Sequence, residues 1–134
     1  MNYINDIQIE EGGIMRVVLA LNTQNWIEAE EQLIKDVVNT KLTHCLGSYK
    51  GETERSYMTG FLDAQEIRAL AILAAEYKQE STLVIDYTGN AYLMYTDGSK
   101  KVEGIGRWGE IDRDKQDNLE NWTLTENGTL YTVL

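Results

Sequence analysis

An α+β fold of the split-βαβ, ferredoxin-like kind is what this 134-residue sequence predicts: an antiparallel sheet with two helices on one face and an extra C-terminal β-hairpin. Three observations predict it. Two segments carry capping-box spacing followed by apolar residues at helical intervals. Apolar, β-branched runs precede the first of these and follow the second. Between them lies an arm, residues 42–61, that reads as two strands and a turn. The resulting order is β-α-β-β-α-β, with further strands behind it.

The elements follow in chain order. "MNYINDIQIEEGG" (1–13) is acidic, ends in a glycine pair and is expected to be a loosely held arm. "IMRVVLALN" (14–22) reads as a buried strand. Asn25 caps the first helix with Glu28 three positions on, and Trp26, Leu33, Ile34, Val37 and Val38 give its apolar stripe. Glu28, Glu30, Glu31 and Asp36 fall largely off that stripe, as a solvated face would. The arm is expected to form strands over 42–50 and 54–61 around a turn at Gly51. Asp63 and Glu66 make the second capping box, and Ile67, Leu70, Ala71, Ala74 and Tyr77 define the buried side of the second helix. "STLVIDY" and "AYLMYTDG" are strands joined by "TGN"; "KKVEGIGRW" is another. "EIDRDKQDNLEN" is polar enough for a loop, and "WTLTENGTLYTVL" is a hairpin turning at Asn127 and Gly128. No repeat or linker divides the chain, so 1–134 is expected to be one domain.

Composition narrows the function. A formal charge of −10 argues against binding a phosphate backbone, because that affinity rests on Lys and Arg displacing counterions. A cationic ligand is favoured instead. No signal segment and no apolar run of membrane-spanning length is read, which leads to the expectation of a soluble, cytoplasmic protein. One cysteine forms no internal disulfide, and the sequons at Asn121 and Asn127 read as strand and turn residues.

Several motifs carry less than their strings suggest. "GIGRWG" (104–109) matches a dinucleotide fingerprint, but no helical period follows it, so a turn or bulge beside a packed Trp108 is expected. His44 and Cys45 are neighbours in a strand and point to opposite faces, which gives them structural roles and leaves no metal site. The arm is different. Alternation puts Glu54, Ser56 and Met58 on one face and Arg55, Tyr57 and Phe61 on the other, and neither is a clean core face near the turn. Two readings stay open there: exposed, solvated charges, or a polar site at a sheet end completed by another chain.

"AQEIRALAILAAEYKQESTLVIDYTGNAYLMY" (64–95), preceded by "GSYKGETERS" and followed by a glycine-containing strand and an aromatic hairpin, resembles a known family. It is similar to the small phage-encoded enzymes that degrade S-adenosylmethionine (SAM), formerly called SAM hydrolases and now SAM lyases. The resemblance spans residues 44–134 and is clearest around Ala64, Gln65, Glu76, Gln79 and "TLVI". It implies a ferredoxin-like homotrimer in the cytoplasm of an infected bacterium, with SAM between subunits, a catalytic glutamate and no cofactor. The implied reaction is attack by the substrate's own carboxylate, releasing methylthioadenosine and homoserine lactone and blunting host methylation or restriction.

SAM carries a sulfonium, an ammonium and a carboxylate, so an acidic wall with aromatic faces suits it. Glu54, then Glu52, are the candidate catalytic carboxylates and can hold the ammonium. Tyr49 or Tyr57 can lie against the adenine or the sulfonium, and Ser56 or Gln79 can supply hydrogen bonds. Two other readings use less of the sequence. One is an acidic anti-defence protein that mimics DNA charge without catalysis; the other is a trimeric nucleotide-binding regulator.

Overall fold

The computed structural model describes residues 2–3, 16–20, 26–36, 42–97, 99 and 101–134. Among these run β1 (Asn2–Tyr3), β2 (Arg16–Ala20), α1 (Trp26–Asp36), β3 (Leu42–Tyr49), β4 (Glu52–Thr59), α2 (Ala64–Glu76), β5 (Ser81–Ile85), β6 (Asn90–Tyr95) and β7 (Lys101–Ile111). A 3-10 turn (Arg113–Asn118), β8 (Trp122–Thr125) and β9 (Leu130–Val133) follow. The expected arm over 1–13 and the helix cap at Asn25 lie largely outside the described residues. No described helix is long and apolar enough to cross a membrane.

The local signals explain the helices and turns. At the start of α2, Glu66 donates its backbone N–H to Asp63 Oδ1 at 2.8 Å, and Asp63 N–H donates back to Glu66 Oε1 at 3.2 Å, which satisfies two otherwise orphaned donors. Ile67, Leu70, Leu73 and Ala74 form its buried side. In α1, Ala29 and Leu33 are fully buried while Ile34, expected beside Leu33, is half exposed. The region anticipated as a loop over 110–121 carries some regular structure: β7 runs on to Ile111 and the 3-10 turn takes up Arg113–Asn118.

The ferredoxin-like expectation is corrected by the sheet topology. The strands follow the order β7-β6-β5-β2-β4-β3-β8-β9, and β9 pairs back onto β7, so eight antiparallel strands close into a barrel; β1 adds to β7 at Val102 and Lys101. The physical reason is β7. Its first part pairs with β6 as far as Arg107, and its last four residues, Trp108 to Ile111, pair with β9. A bulge opposite Ala91 and Tyr92 and a left-handed φ of +136° at Gly106 bend it between the two partners. An open sheet with an appended hairpin would leave free edges; closure removes them.

Two cores result. Val17, Leu19, Tyr57, Val84, Met94 and Val102 face outward from the sheet and are covered by Leu33 of α1 and by Ile67, Leu70 and Leu73 of α2. The alternate residues Val18, Cys45, Met58, Ile85 and Ala91, with Trp108, Tyr131 and Val133 against them, fill the barrel interior. Trp108 and Tyr131 stack there, 5.1 Å between centroids and 10° from parallel.

Candidate functional site

The β3–β4 hairpin turns on two residues, Lys50 and Gly51, both with positive φ (52° and 84°), the geometry that matches strand twist in a two-residue loop. β4 therefore begins at Glu52, two residues earlier than the sequence suggested, and Glu52 stands opposite Tyr49 in the ladder. Glu54 stands opposite Gly47, and Ser56 opposite Cys45. Cys45 and Met58 belong to the barrel interior, so Tyr49, Glu52, Glu54 and Ser56 continue that same face toward the hairpin tip. The tip is braced from behind: Lys50 N–H donates to Asn121 Oδ1 (2.8 Å), and Ser48 Oγ donates to the Glu120 carbonyl (2.9 Å).

Register places the α2–β5 junction at the same end of the barrel. Ala20 of β2 is opposite Ser56 of β4, while Arg16, at the other end of β2, is opposite Ile85 of β5. The start of β5, Ser81, and its partner Tyr95 on β6 therefore lie at the Ser56 end. Gln79 is fixed there by its backbone. Its N–H donates to the Ala74 carbonyl (2.9 Å) and Lys78 N–H to the Ala75 carbonyl (3.0 Å), a Schellman ending with Lys78 at φ 61°. Thr96 Oγ1 donates to the Gln79 carbonyl from the other side. An open cleft of about 440 Å³ lies against this junction, lined by Lys78, Gln79, Glu80, Tyr95, Thr96 and Asp97 among others.

Tyr95 links the cleft to the hairpin, and sequence reasoning passed over it. Its hydroxyl donates to Glu103 Oε2 at 2.8 Å, and its phenol lies near Tyr49 and the Glu80 carboxylate. The only signal for it in the sequence was its place at the end of the strand "AYLMY", one residue before the turn.

The remaining sequence candidates sit elsewhere. Tyr57 is on the other face of β4, 1% exposed beneath the helices, in edge-to-face contact with His44 (5.5 Å). His44 Nε2 reaches Glu30 Oε1 of α1 at 2.9 Å, and Cys45 points into the barrel, so the two neighbours do diverge. The "GIGRWG" stretch is strand: Arg107 donates to the Thr88 carbonyl and to Asn90 Oδ1, and Trp108 packs in the interior.

Electrostatics distinguish these groups. Burial first, and then the neighbouring Glu52 carboxylate, raise the Glu54 pKa above the usual carboxylate value. An anion there gains from a cation brought to it. The hydrogen bond to Glu103 leads the causes that raise the Tyr95 phenol, so Tyr95 remains a donor at neutral pH. Burial, then Glu126, push the Cys45 thiol up to about 11, which leaves it protonated and unreactive. The Ser56 hydroxyl is buried and has no hydrogen-bond partner among the described residues.

Chemically, a barrel end that brings Glu52, Glu54, Glu80, Asp97 and Glu103 near two phenols and Gln79 suits a small organic cation with polar substituents. The S-adenosylmethionine lyase family matches the chain over residues 18–134. The chain belongs to that family and is an enzyme that cleaves S-adenosylmethionine. A comparison with curated proteins gives no match.

Proposed function

We propose that this enzyme converts SAM to methylthioadenosine and homoserine lactone by intramolecular displacement. A carboxylate oxygen of the substrate attacks its γ-carbon; the C–O bond forms, the C–S bond breaks, and the electron pair leaves with sulfur. No proton moves in that step. Carboxylate and sulfonium charges vanish together, so a site that folds the substrate and excludes water disfavours the charged ground state more than the transition state.

Glu54, aided by Glu52, holds the ammonium and leaves the substrate carboxylate free to attack. Tyr49 lies against the adenine, and Ser56 and Gln79 donate or accept hydrogen bonds that fix the conformer. Tyr57 supports the hairpin from the core side. A homotrimer that completes each site from a neighbouring chain, acting in the cytoplasm of a phage-infected bacterium to deplete SAM, is part of the same proposal and rests on the family resemblance. The observation that carries the reading is the convergence of Tyr49, Glu52, Glu54 and Ser56 on one hairpin face at the barrel end that also holds Gln79.

The test is turnover in ¹⁸O-labelled water. Methylthioadenosine with a lactone free of label at the ring oxygen is expected; label in the hydroxyl of a homoserine product would mean that water, not the substrate carboxylate, attacks. Glu54→Gln is expected to lower methylthioadenosine release at least about 100-fold with the oligomer unchanged. Full activity in that variant would remove Glu54 from the site.

A further inference from the structure

Tyr95 carries an inference that rests on the SAM reading and goes beyond it. The faces of Tyr49 and Tyr95 differ in what already occupies them. The Lys50 ammonium sits 5.3 Å from the Tyr49 ring centroid, so a second cation on that face would meet a like charge. Among the described residues Tyr95 is linked to no cation in this way, and it lines the cleft beside Gln79, Glu80 and Asp97. Its hydroxyl donates to the Glu103 carboxylate at 2.8 Å, which fixes the ring's position at the end of β6 and enriches its π-face in electron density. Lys78 is the single basic residue among those lining the cleft, against the two carboxylates of Glu80 and Asp97.

We propose that the Tyr95 ring, oriented by Glu103, is the wall of the cleft that receives the sulfonium, and that it sets the preference of the site for a charged sulfonium over an uncharged thioether. The preference serves turnover. Once the C–S bond breaks, sulfur carries no charge, the attraction to the ring is gone, and methylthioadenosine leaves without competing well against fresh substrate. Because the ring holds the ground-state cation, its removal raises KM and leaves kcat unchanged or slightly higher.

Binding isolates this role from chemistry. Sinefungin places a protonated amine where SAM has its sulfonium and is not cleaved; S-adenosylhomocysteine is the uncharged thioether. Calorimetric titration of the wild-type protein with both is expected to favour sinefungin. Tyr95→Leu is expected to reduce that preference about 5-fold, while Tyr95→Phe, which keeps the ring and loses the bond to Glu103, retains most of it. An unchanged preference in Tyr95→Leu, with both compounds still bound, overturns the inference and leaves the SAM reading standing. If the wild-type protein binds neither compound, the SAM reading itself falls and takes the inference with it.

Discussion

Gly47 stands directly opposite Glu54 in the β3–β4 ladder, and a methyl group in place of its hydrogen would lie 3.1 Å from Ser56 Oγ. The absent side chain leaves room beside the carboxylate and keeps the Ser56 hydroxyl free to turn. Gly47→Ala is expected to press that hydroxyl into another rotamer, at a stability cost below about 1 kcal/mol. Its effect on SAM cleavage is expected to be larger: a KM raised several-fold, matched by Ser56→Ala. Unchanged kinetics in both variants would show that the interior face of the hairpin does not meet the substrate.

The raised Glu54 pKa gives stability a definite pH dependence. A carboxyl whose folded pKa lies above its unfolded value favours the folded state below the unfolded pKa, and that contribution is lost as pH rises through the folded pKa. Glu54→Gln cannot lose it. The variant is therefore expected to match wild type near pH 4 and to become the more stable of the two toward pH 8, by no more than about 1 kcal/mol because the position is half exposed and screened. Thermal melts at the two pH values check this; a variant less stable than wild type at pH 8 would mean that the Glu54 carboxylate is paired with a cation.

Barrel closure depends on Gly106. Its φ of +136° disfavours any side chain, and a Cβ there would lie 2.5 Å from the Leu134 carbonyl oxygen and 2.9 Å from Val133 Cγ1. That contact is where Arg107 and Leu134 exchange backbone hydrogen bonds. Gly106→Ala is expected to cost about 3 kcal/mol, read from urea denaturation. Gly104→Ala is the control: its Cβ would meet only the Tyr92 ring at 3.7 Å, an ordinary contact. Equal stability of the two variants would argue that β9 does not close the sheet against β7.

Much of the local structure was written in the chain. The Asp63–Glu66 capping box, most of the buried stripe of α2, a turn at Gly51 and the alternation that sets Glu54 and Ser56 apart from Arg55 and Tyr57 all follow from spacing within a few residues, although Lys50 joins Gly51 in the turn instead of ending the strand. So did the divergence of His44 from Cys45. Such features depend on dihedral preferences and on the period of an element, which neighbouring residues determine by themselves.

Closure was decided elsewhere. Whether β7 ends in a free edge or bends at Gly106 to meet β9 depends on pairing between residues distant in the chain, from Ile111 with Leu130 to Trp108 with Val133, and no periodicity records it. The same non-local step fixes which face of the hairpin becomes the inside of a barrel and brings Tyr95 near both Gln79 and Tyr49. The sequence by itself determined which residues could bind a cation, through charge and alternation; only the folded barrel decided which of them share one end, because strand register and sheet curvature are properties of the whole closed ring.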